Sequence, residues 1–171
     1  SVEIYNNTAT NNETWNGQGG GIAVSNGILT MSAGKIYGNT AYQGGGVKTC
    51  SERAAFIMTG GQIYGNTAYQ GGGVHNSCNT SAASGITYGF TMSGGKIYEN
   101  TASASTSAGG ALCNDGIFQI KGSAYLPYGV TSGGTLQTGT GKNDLYLASE
   151  KNITITGALN PPADANGKVA V

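Results

Sequence analysis

Large hydrophobic residues recur along the chain two positions apart, in short segments that glycine-rich stretches separate. A spacing of two puts both side chains on one face of an extended backbone, which predicts short strands with one buried face. The first kind of segment reads Ile-Tyr and begins at Ile4, Ile36, Ile63 and Ile97. The second follows a glycine-rich run, at Ile22, Val47, Val74 and Leu112. The third carries a pair of large apolar residues, led by Leu29, Phe56, Phe90 and Phe118.

These segments belong to a sequence repeat. Ile36–Val47 and Ile63–Val74 share the identical sequence Ile-Tyr-Gly-Asn-Thr-Ala-Tyr-Gln-Gly-Gly-Gly-Val. Weaker copies begin at Ile4 and Ile97, so the motif recurs at a spacing of roughly 30 residues, which is typical of solenoids. We therefore predict an all-β fold, a single-stranded parallel β-helix of about five coils with three short strands each.

Composition limits the number of domains and the kinds of partner. The 171 residues suffice for one domain, and we expect residues 1–171 to form a single β-helix domain. Only 9% of the residues are charged and the formal net charge is zero, which disfavours nucleic acid as a partner. No stretch of about 18 apolar residues occurs, so we expect no membrane insertion.

We expect the chain to be a piece of a longer protein. Its first residues enter a repeat at the Ile-Tyr segment, without the strand that precedes this segment elsewhere. Near the other end, Asn160-Pro161-Pro162 is typical of a turn, and we expect residues 157–171 to lead toward a following domain. Within that longer chain the segment is predicted to be monomeric.

An asparagine follows each Ile-Tyr segment, at Asn7, Asn39, Asn66 and Asn100. Stacking of the repeats places these side chains above one another, where they can hydrogen-bond along the axis of the stack. Because buried amides need such partners, we interpret this column as a structural ladder rather than as catalytic groups.

The motif Ile-Tyr-x-Asn, followed by Gly-Gly-[Gly/Ala]-[Ile/Val/Leu], resembles the Phe-x-x-Asn and Gly-Gly-Ala-Ile repeats of polymorphic outer-membrane-protein adhesins. It is also similar to the right-handed β-helix repeats of large bacterial cell-surface proteins. The similarity covers roughly Ile4–Ala124, although Ile replaces Phe in the first motif and three of the four glycine runs end in Gly. The resemblance implies a right-handed β-helix that is extracellular or on a bacterial cell surface.

Exported β-helices include polysaccharide lyases and glycoside hydrolases, so a carbohydrate-active enzyme is the main alternative. Glycoside hydrolysis uses a pair of carboxylates, and no two of the eight acidic residues lie two positions apart on one predicted strand. The single arginine, Arg53, lies beside Glu52, and we interpret the two as a solvated loop pair. We predict no catalytic residue, no cofactor and no enzymatic activity.

The three cysteines and the single histidine bear on a disulfide or a metal site. His75 follows Val74 and is predicted to point outward, where zinc would also need Cys or acidic ligands. Cys78 is near in sequence, and Cys50 occupies a comparable loop one coil away. We predict a Cys50–Cys78 disulfide and no metal, because adjacent coils bring equivalent loops within bridging distance. A Cys78–Cys113 pairing is the alternative.

Tyrosines follow the inward isoleucines and are predicted to form an outward-facing column, at Tyr5, Tyr37, Tyr64 and Tyr98. Tyr42 and Tyr69 form a second, shorter column. Such columns either pack only on one another or offer rigid amphipathic rings to a partner. We hypothesise adhesion or display, with a glycan or host surface protein bound at the tyrosines or at a loop edge, Lys48–Ala55 and His75–Gly89. A purely mechanical stalk is a further alternative.

Overall fold

The computed structural model of the chain contains strands and loops, and no helix, in the residues that it describes. Those residues are 1–9, 17–50, 52–80, 87–105, 108–127 and 144–160. The strands are β1 (Glu3–Tyr5), β2 (Thr8–Ala9), β3 (Ile22–Val24), β4 (Gly27–Met31), β5 (Lys35–Tyr37), β6 (Thr40–Gln43), β7 (Val47–Thr49), β8 (Ala54–Met58), β9 (Gln62–Tyr64), β10 (Thr67–Gln70), β11 (Val74–Asn76), β12 (Gly89–Met92), β13 (Lys96–Tyr98), β14 (Thr101–Ala102), β15 (Leu112–Asn114), β16 (Phe118–Gly122), β17 (Leu145–Leu147) and β18 (Ile153–Leu159).

Parallel pairing joins these strands into four sheets. The first sheet is β1-β5-β9-β13, the second β2-β6-β10-β14, the third β3-β7-β11-β15-β17 and the fourth β4-β8-β12-β16-β18. From β1 to β16 the backbone therefore passes through all four sheets before it returns to the first. This arrangement is solenoid-like, and it confirms the predicted all-β class with parallel strands.

The register between neighbouring strands aligns equivalent residues of the repeats. Ile36 pairs with Ile4 and Ile63, and Phe90 pairs with Phe56 and Phe118. The three phenylalanine rings stack with centroids 5.0 and 5.1 Å apart. Because side chains alternate across a strand, the same register directs one apolar column of each sheet inward. The buried core contains Met31, Ile36, Val47, Phe56, Met58, Ile63, Val74, Phe90, Met92, Ile97, Ala111, Leu112, Phe118 and Ala124.

The prediction of three strands per coil is wrong, because a fourth strand lies between the asparagine and the glycine-rich run. In β6 and β10 the sequence Thr-Ala-Tyr-Gln alternates between the two faces, and Ala41 and Ala68 are buried. Thr67 pairs with Thr40 and Gln70 with Gln43, which completes a regular parallel ladder. Tyr42 and Tyr69 accordingly lie on strands.

Glycine is required where the backbone of one coil touches that of the next. A Cβ atom on Gly45 would lie 2.5 Å from the carbonyl oxygen of Gly72 and 2.7 Å from that of Thr67. Gly20 has the same contacts one coil earlier, with the carbonyl oxygens of Gly45 and Thr40. Real side chains do not tolerate such distances, so the glycine run lets the second sheet turn tightly into the third.

We expect Gly45→Ala to lower the free energy of unfolding by about 2 kcal/mol, because the added methyl group would push two coils apart. Gly157→Ala is the matched control, since its Cβ would meet only the side chain of Lys121, at 3.5 and 3.7 Å, which are ordinary contacts. That variant should change stability by less than about 0.5 kcal/mol. Urea denaturation of both variants measures the difference, and equal losses would contradict the proposed backbone contact.

The last described strand, β18, extends to Leu159 and so enters the range 157–171 that we predicted as an exit segment. Residues 161–171 lie outside the described residues. Within the described part of the chain, no helical segment has the length and apolar character needed to cross a bilayer.

Candidate functional site

The tyrosine ladder, which we define as Tyr5, Tyr37, Tyr64 and Tyr98, runs along the first sheet. Successive ring centroids are 5.0 Å apart and the ring planes lie within 11° of parallel. Tyr42 and Tyr69 stack in the same way on the second sheet, also at 5.0 Å. Tyr5 is 50% exposed and Tyr69 is 42% exposed, while the other rings are half-buried. Because each inner ring lies between two others, the ladder presents mainly ring edges and hydroxyl groups to solvent.

Polar side chains border the tyrosine ladder. Glu3 accepts a hydrogen bond from the hydroxyl of Tyr37 at 3.1 Å and forms an ion pair with Lys35 at 3.2 Å. These two contacts, that of Lys35 first, lower the pKa of the Glu3 carboxyl. Farther along, Lys96 Nζ lies 4.4 Å from the ring centroid of Tyr98, within the range of a cation–π interaction. The border therefore offers both charges and hydrogen-bonding groups beside the aromatic edges.

The four asparagines form a chain of hydrogen bonds between coils. The backbone and side-chain N–H groups of Asn39 both donate to Asn66 Oδ1, each at 3.0 Å. Asn66 donates in the same way to Asn100 Oδ1, at 3.0 and 2.9 Å, and Asn7 to Asn39 Oδ1. Asn39, Asn66 and Asn100 are fully buried. With their polar atoms occupied in this way, these side chains serve packing rather than ligand binding.

Outward-facing positions of the third sheet bring together a set of polar side chains, which we call the polar cluster: Lys48, His75, Ser77, Cys113 and Asp115. His75 pairs in register with Lys48 on one side and Cys113 on the other. Ser77 and Asp115 lie two residues after His75 and Cys113 respectively, so the alternation of a strand returns them to the same face. The lysine, histidine and Cys113 are each at most 3% exposed.

His75 is the centre of the polar cluster. Its Nε2 lies 2.8 Å from Asp115 Oδ2 and 3.4 Å from Ser77 Oγ, and Lys48 Nζ donates a hydrogen bond to the same serine. Its Nδ1 is buried and has no hydrogen-bond partner among the described residues. A ring nitrogen of His75, the sulfur of Cys113 and a carboxylate oxygen of Asp115 lie within 4.8 Å of one another.

Burial and hydrogen bonding set the charges of the polar cluster. The hydrogen bond from His75 lowers the pKa of Asp115, so this carboxyl is ionised at neutral pH. Burial lowers the pKa of His75, lowers that of Lys48 to about 8 and raises that of Cys113 to about 12. The cluster thus holds a neutral imidazole and a protonated thiol beside one carboxylate.

The polar cluster contains Ser77, His75 and Asp115, yet its geometry differs from that of a catalytic triad. A triad holds the carboxylate at one ring nitrogen and the serine at the other. Here both contact Nε2, and Nδ1 contacts neither. A proton therefore has no path from the serine through the ring toward the carboxylate, and these three residues do not support nucleophilic catalysis.

The predicted Cys50–Cys78 disulfide is not present, because both residues carry thiols. The amide of Cys50 bonds to Val24 O and that of Ser77 to Thr49 O, so the register aligns Cys50 with Ser77. Cys78 lies one residue beyond this alignment, on the other face of the backbone.

The outward position predicted for His75 places it opposite the core, but the ring is only 1% exposed. Lys48 and His75, assigned above to a loop edge, lie within β7 and β11. The sequence prediction compared His75 only with Cys50 and Cys78. The sequence repeats do, however, align Val74 with Leu112, and this alignment places Cys113 beside His75, as the register shows.

Comparisons with known proteins add no assignment: no family model, no curated protein and no solved structure matches the chain significantly.

Proposed function

We propose that the chain is a right-handed parallel β-helix of about five coils from an extracellular or cell-surface bacterial protein, and that it acts in adhesion or display. The observation that carries this proposal is the tyrosine ladder, a continuous aromatic strip along one sheet with charged residues at its border. Tyrosine is enriched in protein interfaces because its ring is rigid and amphipathic.

The geometry of the ladder favours a host surface protein over a glycan as the bound partner. A sugar ring stacks on an open aromatic face, whereas Tyr37 and Tyr64 have a neighbouring ring on each side. Their edges and hydroxyl groups remain to contact the side chains or backbone of a protein. Glu3 and Lys96, at the two ends of the strip, supply charges that would orient such a partner.

The test compares binding by the wild type with binding by the double variant Tyr37→Ser/Tyr64→Ser. We expect the double variant to lose affinity for a host-cell surface at least about tenfold, since two aromatic contacts at the centre of the strip are removed. Tyr146→Ser, on β17 of the third sheet, is the matched control and should bind as the wild type does.

Unchanged binding by the folded double variant would contradict a role for the tyrosine ladder. A parallel glycan array with product analysis tests the other ligand class. Binding by glycans without cleavage would keep the adhesive function and replace the protein partner. Cleavage would instead support the alternative of a carbohydrate-active enzyme.

A mechanical stalk is the second candidate, and the asparagine hydrogen bonds favour it. They join four successive coils, and three of the four side chains are fully buried, which gives a stack that resists bending and local opening. Absence of any binding by the wild type to cells and glycans alike would support this spacer role.

A further inference from the structure

The polar cluster on the third sheet contains three side chains with donor atoms that metal ions use. We propose that His75, Cys113 and Asp115 bind a divalent transition metal, with Zn²⁺ as the best match. Their donor atoms, one nitrogen, one sulfur and one oxygen, already lie within 4.8 Å of one another. Zinc bonds of about 2.0–2.3 Å place tetrahedral donors roughly 3.3–3.8 Å apart, so a side-chain movement of about 1 Å closes the site.

The backbone holds these three ligands in place. His75 and Cys113 are register partners on β11 and β15, and Asp115 follows Cys113 by two residues on the same face. The amide of Asp115 bonds to the carbonyl oxygen of Asn76 at 2.8 Å, which continues the strand pairing to this residue. A site on paired strands is better positioned than one on loops, and little ordering is needed when the metal binds.

The donor set selects the class of metal. Thiolate and imidazole ligands favour zinc, cobalt and similar ions, whereas calcium and magnesium prefer oxygen donors alone. The Cys113 thiol releases its proton to solvent when the ion binds, and the resulting thiolate and the carboxylate together balance the two positive charges of the ion. The Asp115 side chain is 41% exposed, so the ion can enter from this side and keep a water molecule as its fourth ligand.

The hydrogen bond between His75 and Asp115 shows which ring nitrogen faces the proposed site. Since an ionised carboxylate only accepts hydrogen bonds, Nε2 is the nitrogen that donates to Asp115. An ion bound by both residues takes the place of this proton, so the imidazole coordinates it through Nε2. The imidazole remains neutral, because its proton is then carried on Nδ1.

Lys48 is the neighbour that opposes metal binding. Its ammonium group is buried in the same cluster, where it interacts electrostatically with Asp115 and Cys113 and donates to Ser77. Replacement by methionine would keep the aliphatic volume and remove the positive charge. The proposed site therefore requires Lys48→Met to raise the affinity for Zn²⁺, and an unchanged or lower affinity counts against it.

The experiment titrates the 171-residue chain with Co²⁺ and follows its absorption, with Zn²⁺ as the competitor. We expect one Co²⁺ per chain, with a thiolate-to-cobalt charge-transfer band that Zn²⁺ removes. Cys113→Ala should abolish the band, and Asp115→Asn should weaken Co²⁺ binding at least about tenfold. Cys50→Ala is the matched thiol control and should keep both the band and the affinity.

The proposal is overturned if saturating Co²⁺ gives no charge-transfer band, or if the band persists in Cys113→Ala. Loss of the band in Cys50→Ala would have the same meaning, since the ion would then bind elsewhere. Circular dichroism establishes that each variant is folded. Asp115→Asn decides the question even where Cys113→Ala does not fold, because the half-exposed carboxylate can be changed without opening the core.

Discussion

Replacing Phe90 with alanine is expected to lower the free energy of unfolding by about 4 kcal/mol, the largest loss that we expect from a single substitution. The ring is 1% exposed and lies between those of Phe56 and Phe118 in the fourth sheet. Its removal leaves a cavity that neighbouring coils cannot fill, because the strand register fixes their spacing. Two aromatic stacking contacts are lost at the same time.

Denaturation by urea measures this loss, with Ile155→Ala as the matched control. Ile155 lies in the same sheet, on β18, and is 59% exposed. Its truncation should change the free energy of unfolding by no more than about 0.5 kcal/mol. Since solenoid stability depends on contacts between neighbouring repeats, Phe90→Ala should also broaden the transition. A loss no greater than that of Ile155→Ala would mean that the phenylalanine stack does not stabilise the solenoid.

The apolar columns could be predicted because the repeats carry them in large residues. Isoleucine before tyrosine, and phenylalanine two positions before methionine, identify strands and their inward faces without further information. The fourth strand was missed because its inward residue is alanine, at Ala41 and Ala68, which a pattern of large hydrophobic residues does not include. Small side chains suffice there because the neighbouring glycine runs bring the backbones close together.

The polar cluster was missed for a different reason. Cys113 and Asp115 lie 38 and 40 residues after His75, and the repeat between them contains an insertion of variable length. Proximity in sequence suggested Cys78 instead. The equivalence of Val74 and Leu112 in the repeats already implied that Cys113 neighbours His75, and the register of β11 against β15 shows it. A shift of one residue would have placed different side chains on the outer face.

The tyrosine ladder illustrates what the register alone cannot decide. Exact alignment of the repeats places identical side chains of neighbouring coils above one another. The phenylalanine column inside and the tyrosine ladder outside both follow from this rule. The buried column must stabilise the fold, whereas the exposed ladder has ring edges and hydroxyl groups that no core contact uses. This difference in exposure is the reason to test the ladder for binding and the phenylalanines for stability.

Replacing Asn66 with alanine is the second substitution for which we expect a large effect, a loss of about 3 kcal/mol in the free energy of unfolding. The side chain of Asn66 is fully buried and hydrogen-bonds to Asn39 and Asn100, its two neighbours in the column of asparagines. Without it, the backbone N–H of Asn39 loses its acceptor, and the carbonyl oxygen of Ile36 loses a donor. Leaving buried polar groups without partners costs more free energy than the hydrogen bonds themselves contribute.

Asn7→Ala is the matched control, because Asn7 is the exposed residue at the end of the same asparagine column. Water replaces the lost hydrogen bonds at Asn7, and we expect the free energy of unfolding to change by no more than about 1 kcal/mol. Urea denaturation and amide hydrogen exchange provide the comparison, with faster exchange expected at Asn39 in the Asn66 variant. If both variants lost the same stability, this would contradict the expectation that the buried hydrogen bonds of Asn66 stabilise the fold more than the exposed ones of Asn7. A larger loss of stability in Asn66→Ala would instead mean that the asparagine column couples one coil to the next through buried amides.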